Sequence, residues 1–261
     1  MSQPSSSFEP PRFRLSPVSF SSRSGRLTDA QQRAWDTRRD AYLVEVPRGV
    51  GRMSLDTSWR FDAERVYGRV APLVLEIGSG QGDAIVAAAG RDPQRDYLAV
   101  EVYKPGVAQV MVRADRAAAE AAAGRGAVDD DVAGLPNLRV VQVNAAELLE
   151  TAVPAGSLDE LWTFFPDPWH KSRHKKRRLV TPKFAATAAR ALRPGGTWRL
   201  ATDWADYAGQ MFDVLDAEPA LAGAHGPRTA APRFEGRIVT GFERKAHRAG
   251  REITDLTYTR V

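Results

Sequence analysis

The stretch Leu73-Val74-Leu75-Glu76-Ile77-Gly78-Ser79-Gly80-Gln81-Gly82-Asp83 decides the fold. Its first five residues are a short apolar run that reads as a buried strand. The glycines that follow let the backbone turn tightly and come close to a ligand, and residues 83–89 open a helix whose first N–H groups face that turn. Working outward, the same alternation recurs. Further strands are expected at 97–102, 138–143, 158–165, 197–202 and 253–260. Helices are expected at 104–123 (with Pro105 in the first turn), around 145–150, from Thr181-Pro182 to the stop at Pro194-Gly195-Gly196, and at 204–217. Strands alternating with helices at this spacing imply a mostly parallel sheet covered on both faces.

Upstream, Gly25 to Trp35 starts a helix with Thr28 as its N-cap, and residues 36–70 are expected to cover the core. Residues 1–22 are rich in Ser, Pro and Arg and are expected to be disordered, which leaves 23–261 as one folded domain. Residues 117–136 and 218–236 read as insertions. The chain carries 37 basic against 32 acidic residues, a net charge of +5, which alone favours nucleic acid only slightly. Its distribution matters more, because six basic residues fall within 171–178. There is no cysteine, so disulfides, thiolate zinc sites and cysteine nucleophiles are excluded. His170 and His174 lack partners at ligand spacing, and no metal is expected. Neither a transmembrane span nor a secretory segment is present, so a cytoplasmic protein is the expectation.

The glycine turn selects among ligands. A dinucleotide fingerprint needs G-x-G-x-x-G, whereas Asp83 stands where the third glycine belongs, and an acid there repels a pyrophosphate. Glu76 before the glycines and Glu101 after the second strand suit a cationic, ribose-bearing ligand, with Glu101 where a ribose diol is gripped. S-adenosylmethionine, a sulfonium with an amino-acid tail, fits these charges. Asn144, after the third strand, is placed to cap the next helix, to meet an adenine edge, or both.

A second segment, Phe164 to Arg178, reads Phe-Phe-Pro-Asp-Pro-Trp-His-Lys-Ser-Arg-His-Lys-Lys-Arg-Arg. Pro166 and Pro168 limit the backbone on both sides of Asp167, so stiffness sets the direction of this carboxylate. Trp169 offers a face for stacking, although tryptophan is more often a core residue. Lys171, Arg173, Lys175, Lys176, Arg177 and Arg178 offer charge to a phosphate backbone, against the alternative of a solvated face. An acid, an aromatic platform and a cationic tract side by side suggest chemistry on a nucleobase. Asp203, ending the fifth strand, suits either substrate binding or an N-cap.

With these residues in hand, the chain resembles the bacterial tRNA (guanine-N7)-methyltransferases. The matching segments are Leu75 to Gly80, Val100-Glu101-Val102, Phe164 to Arg178, Ala201-Thr202-Asp203, and the tail from Thr240-Gly241-Phe242-Glu243-Arg244 through Asp255-Leu256-Thr257-Tyr258. The entry segment Gly25-Arg26-Leu27-Thr28 is similar too, so that the likeness covers roughly residues 23–261. The resemblance implies a Rossmann-like seven-stranded methyltransferase fold with a reversed final strand. It also implies transfer of a methyl group from S-adenosylmethionine to N7 of a guanosine in the tRNA variable loop. Positions matching Glu76, Gly78, Gly80, Glu101, Asn144 and Asp167 then line the cofactor site. Those matching Lys171, Asp203, Thr240, Gly241, Phe242 and Glu243 meet the tRNA. Two positions depart from the family pattern: Asn144 stands where aspartate is common, and Gly241 where lysine is common.

Guanine N7 has a lone pair and no proton, so methylation there needs no general base. Asp167 is then expected to stabilise the positive charge growing on the ring, with positioning supplying the rest. Two other readings stand beside this one. The first is a methyltransferase acting on an exocyclic amine, which Pro-Asp-Pro-Trp loosely suggests. The second is an RNA-binding protein keeping a dead cofactor fold. Intact Glu76, Gly78, Gly80, Glu101 and Asp167 argue against the latter.

Overall fold

A computed structural model describes residues 19–20, 25–51, 53–124 and 134–261. The expected disorder of residues 1–22 falls almost wholly outside these, as do residues 125–133 of the first predicted insertion. The first helix, α1 (Asp29–Tyr42), is held by a capping box. Gln31 N–H donates to the Thr28 hydroxyl, and the Gln31 side chain accepts from Thr28 N–H. The chain then crosses the core, burying Val46, Leu55 and Phe61, and makes the short helix α2 (Ala63–Tyr67).

The regular part follows as β1 (Leu73–Ile77), α3 (Asp83–Arg91), β2 (Asp96–Val100), α4 (Lys104–Gly124), β3 (Leu138–Val141), α5 (Ala145–Glu147) and β4 (Leu158–Phe164). After it come α6 (Pro182–Ala191), β5 (Leu192–Thr202), α7 (Ala205–Asp216), β6 (Leu221–Gly223), α8 (Gly241–Arg248) and β7 (Thr254–Arg260). The expected helix around 145–150 is therefore short and runs on as a π turn over Leu148–Ala152.

One sheet of seven strands results, in the order β3-β2-β1-β4-β5-β7-β6. β1 to β5 are parallel to their neighbours, and β7 runs antiparallel between β5 and β6. Strand order reverses between β1 and β4, so a crevice opens there at the carboxyl ends of the strands. All five residues of β1 are buried, as expected of a central parallel strand covered on both faces. Leu75, Leu98, Leu161 and Leu200 face a core closed by α6 and α7. Val74, Ala99, Trp162 and Ala201 face a second core closed by α1, α3 and α4.

Three elements were not legible. β6 lies inside the apparent insertion 218–236, and α2 and α8 carry little apolar periodicity. Pro194-Gly195-Gly196 does not stop α6, which ends at Ala191. β5 instead begins at Leu192, opposite Leu158, bulges out, and resumes its pairing with Thr197 opposite Glu160.

The reversed strand is tied in by charge. Arg237, wholly buried, donates to both carboxylate oxygens of Asp255 on β7 at 2.9 and 2.8 Å, and to Glu243 on α8 at 2.7 Å. Arg233 reaches the other oxygen of Glu243 at 2.9 Å. Removing the shared cation strands two buried carboxylates. Arg237→Ala is expected to lower unfolding free energy by roughly 3–5 kcal/mol, read from urea unfolding followed by circular dichroism. A loss no larger than that of an ordinary surface substitution would show that the network holds nothing.

Candidate active site

The parallel topology brings the predicted cofactor residues to one rim. Glu76 ends β1, Glu101 follows β2, Asn144 follows β3, and Asp167 follows β4. The glycine turn is pinned to β2 by Gly78 and Ser79 N–H groups, which donate to Val100 O at 2.8 and 3.2 Å. Gly82 caps α3 with a φ of 78°, and a Cβ there would stand 2.8 Å from Val110 Cγ2, so only glycine fits. Gly106 opens α4 against the same turn, where a Cβ would meet Gly80 O at 2.5 Å. At Gly78, by contrast, a Cβ would meet no protein atom within 4 Å among the described residues. The turn is thus closed from below and open above.

Two acids look into this opening. Glu101 accepts from Gly80 N–H at 2.8 Å through Oε2, and from Val102 and Tyr103 N–H at 2.7 and 2.8 Å through Oε1. Three backbone donors fix its orientation, yet burial still raises its pKa, and the charge of Asp167 adds to the rise. Glu76 is more constrained. It is buried, its Oε2 has no hydrogen-bond partner, and its pKa is pushed up to about 8 by burial, with repulsion from Asp83 and Glu101 adding to it. A buried carboxyl held partly protonated beside a second acid is a place for a cation. Asp83 does not act as the sequence suggested, because Arg113 pairs with it at 2.7 Å and offsets its charge. The case against a pyrophosphate therefore rests on Glu76 and Glu101. Asn144 is the N-cap of α5, accepting from Ala146 N–H at 3.1 Å.

Asp167 is exposed on its loop between two strained residues. Phe165 and Trp169 both have left-handed backbones, with φ of 52° and 46°. Phe165 N–H donates to Ala201 O at 2.8 Å, which fixes the start of the loop on β5. Arg178 fixes the end. It is buried and donates to Pro168 O at 2.8 Å, to Gln210 at 2.8 Å and to Asp206 at 2.5 Å.

Arg178 thus departs from the phosphate-binding role expected of it, since every direction of its guanidinium serves the loop. The tract before it is a 3₁₀ helix, Ser172–Arg177, rather than a loop. Lys175 pairs with Asp206 at 2.9 Å, and Arg177 lies 3.7 Å over the Trp169 ring. Lys171, Arg173 and Lys176 are exposed. One face of Trp169 is therefore covered by Arg177, and its indole N–H donates to Ser19 O at 3.3 Å.

Asp203 is not a cap. Trp204 holds the N-cap position of α7, and Asp203 pairs with Arg251 at 2.8 Å. Of the tail residues, Thr240 caps α8 by accepting from Glu243 N–H at 3.2 Å, and Glu243 is buried between Arg233 and Arg237. Phe242 is exposed. At Gly241 the nearest atom to a Cβ position is Arg244 Nη2, at 3.8 Å, so Arg244 supplies a cation beside this departure from the family pattern. Sequence reasoning missed Arg237 and Arg233, whose charge signal was hidden in a Pro/Gly/Ala-rich stretch.

Comparison with known proteins agrees with this geometry. Residues 70–256 match a family model described as putative methyltransferase. A tRNA (guanine-N(7)-)-methyltransferase of Paenarthrobacter aurescens is 42% identical over 93% of this chain and 91% of its own. One from Cutibacterium acnes is 44% identical over 96% and 85%. The chain belongs to this family of methyltransferases. Among solved structures, an aminoglycoside-resistance methyltransferase aligns with a TM-score of 0.51 at 17% identity, covering 84% of this chain and all of that one. The 16S rRNA methyltransferase KamB aligns with the same score at 20% identity, over 83% and 99%. These two likenesses concern the fold.

The carboxyl of Glu76 gives a pH signature. Its pKa is higher in the fold than in the unfolded chain, so the native state holds the extra proton between about pH 4.5 and 8. Its contribution to stability is complete below that window and is lost as pH rises through it. Glu76→Gln should remove the loss, flattening the stability–pH curve from pH 5 to 8.5 by an amount on the order of a few kcal/mol relative to wild type. Denaturant midpoints across that range measure it. Parallel curves for the two proteins would refute the assignment.

Proposed function

We propose that this protein transfers a methyl group from S-adenosylmethionine to N7 of a guanosine in the variable loop of tRNA. The observation that carries the reading is the position of Asp167. Its charge is felt by Glu101 in the crevice, and the cationic 3₁₀ helix begins five residues further along the chain. A cofactor site and an RNA site meet at one carboxylate. The relatives' names give the reaction and the substrate.

The residues present fit the cofactor. Glu76, with an unpartnered buried oxygen, takes the cationic amino-acid end, and Glu101 takes the ribose hydroxyls with its remaining lone pairs. The open space over Gly78 and Gly80 admits the ligand's backbone-hugging portion, and Asn144 stands at the adenine end. When bound, S-adenosylmethionine supplies an electrophilic methyl on a sulfonium. No metal enters the scheme. Lys171, Arg173 and Lys176 hold phosphates, while Arg178 holds the loop.

Asp167 directs its carboxylate at the guanine ring, accepting from N1–H and the amino group, and favours the positive charge that develops as N7 is alkylated. No residue is needed to take a proton from N7. Asp203, held by Arg251, lies on the same rim and flanks the base. A protein working on tRNA in this way belongs in the cytoplasm, and among the described residues no helix is long and apolar enough to cross a membrane.

Two measurements test the assignment. Glu101→Ala should weaken cofactor binding about tenfold or more, as expected for losing charge-assisted hydrogen bonds. Calorimetric affinity equal to wild type would remove Glu101 from the site. Asp167→Asn keeps the shape and loses the charge, so single-turnover methylation should slow by about two to three orders of magnitude with tRNA affinity little changed. The wild-type product should be 7-methylguanosine, read by borohydride–aniline cleavage. A methyl on an exocyclic amine, or a full rate in Asp167→Asn, would overturn the reading.

A further inference from the structure

The helix α8 presents two unlike faces. Its inner face is fixed: Ala246 is fully buried, Glu243 is buried between two arginines, and Thr240 caps the first turn. Its outer face carries Arg244, Lys245, His247 and Arg248, all exposed, together with Phe242, which is 65% exposed. Arg244 donates only to Val239 O, Lys245 lies 5.9 Å over the Phe242 ring, and no salt bridge among the described residues engages Arg244, Lys245 or Arg248. Elsewhere on this protein exposed arginines are commonly paired, as in Arg116 with Glu120 and Arg193 with Asp159.

The helix dipole accounts for cations in the last turn of α8 but leaves two features unexplained. Arg244 stands earlier in the helix, and Phe242 in the first turn leaves a large apolar side chain in water. An exposed aromatic interleaved with unpaired cations is the pattern of a nucleic-acid surface.

The position of α8 gives this face a role. Its buried Glu243 is bound by Arg237, and the Arg237 guanidinium lies 5.6 and 5.3 Å over the rings of Phe164 and Phe165, which lead into the Asp167 loop. Phe164 and Phe165 belong to the core on the α3 and α4 side of the sheet. The 3₁₀ helix is anchored on the other side, through Arg178 to Asp206 and over Tyr207, in the core that α6 and α7 close. Cationic surfaces therefore flank the Asp167 loop from both faces of the sheet.

We propose that the outer face of α8 is a second phosphate-binding surface, where Arg244, Lys245 and Arg248 grip the tRNA backbone on the side of the reaction loop opposite the 3₁₀ helix. Phe242 stacks on a base or covers a ribose beside them. A backbone held at two points across the loop is fixed in orientation as well as position, which one cationic tract alone does not achieve. This proposal rests on the reading of the protein as a tRNA methyltransferase and adds a site to it.

The test is tRNA binding by fluorescence anisotropy across roughly 50–200 mM salt, with an unmodified transcript and the full chain. In Arg244→Ala/Lys245→Ala/Arg248→Ala the log–log salt slope should become shallower by up to roughly 0.9 per lost contact, about 2.7 in all, and affinity at low salt should fall. Arg244→Gln/Lys245→Gln/Arg248→Gln keeps the aliphatic stems and the helix, and should behave alike. Arg244→Lys/Arg248→Lys should restore most of the slope. Calorimetric affinity for S-adenosylmethionine should be unchanged in all three. A wild-type slope and affinity in both neutralised variants would overturn the proposal and make α8 a solvated face. Formation of 7-methylguanosine by the wild type on the same transcript is scored separately. Its failure would count against the proposed reaction, whereas the slope speaks only to the surface.

Discussion

Four neighbouring parallel strands must end on the same edge of the sheet, and that constraint organises the chemistry of this protein. β1, β2, β3 and β4 deliver Glu76, Glu101, Asn144 and Asp167 to one rim although the first and last are 91 positions apart in the chain. None of these side chains has to search for its neighbours. Strand register places them, and the reversal of strand order between β1 and β4 opens the space between them. The glycine turn then needs only to stay low, which it does because α4 packs on it at Gly106 and β2 holds it through Val100 O.

The electrostatic layout follows the same geometry. Acids are gathered inside the crevice, where burial makes their charge costly, and cations lie outside it, where water screens them. Glu76 meets the cost by keeping its proton to higher pH. Glu101 meets it with three backbone N–H groups, of which Val102 and Tyr103 belong to the entry into α4. Both arrangements leave the site prepared for a ligand that is positive at one end and hydroxylated at the other. They are a poor match for a pyrophosphate, whose charge has the opposite sign.

The parts of the fold with local signals were legible in the chain. Thr28 with Gln31 announces a capping box, Leu73–Ile77 a central strand, and Pro105 a helix start. All three depend on residues close in sequence. What stayed hidden depends on distant partners. Arg178 looks like the last member of a cationic run, yet Gln210 and Asp206 lie 32 and 28 positions downstream and draw it inward. Glu243 looks like an exposed acid in a polar helix, and only the folded positions of Arg233 and Arg237 show that it is buried. β6 has three residues and pairs at the sheet edge, too short for any alternation to show. A charged residue's type thus gave little indication of its environment; the residues reaching toward it from other elements decided it.

The same long-range contacts explain how the Asp167 loop keeps its shape. Left-handed backbones at Phe165 and Trp169 cost on the order of 1–3 kcal/mol each, and such residues persist only where the surroundings over-determine them. Here each is held from outside the loop. Phe165 is fastened by its N–H to Ala201 O on β5 and by the Arg237 guanidinium over its ring. Trp169 is fastened by Arg177 over its face and by Arg178, which takes the carbonyl of the preceding proline. Between those fastenings lies Pro-Asp-Pro, with little freedom left to lose. The arginines that sequence alone assigns to RNA or leaves unassigned are therefore divided by position. Arg178 and Arg237 turn inward and hold the carboxylate's loop on its two sides, while Lys171, Arg173 and Lys176 stay in solvent. One class of side chain fixes where the reacting base must go, and the other is left at the surface to bring it there.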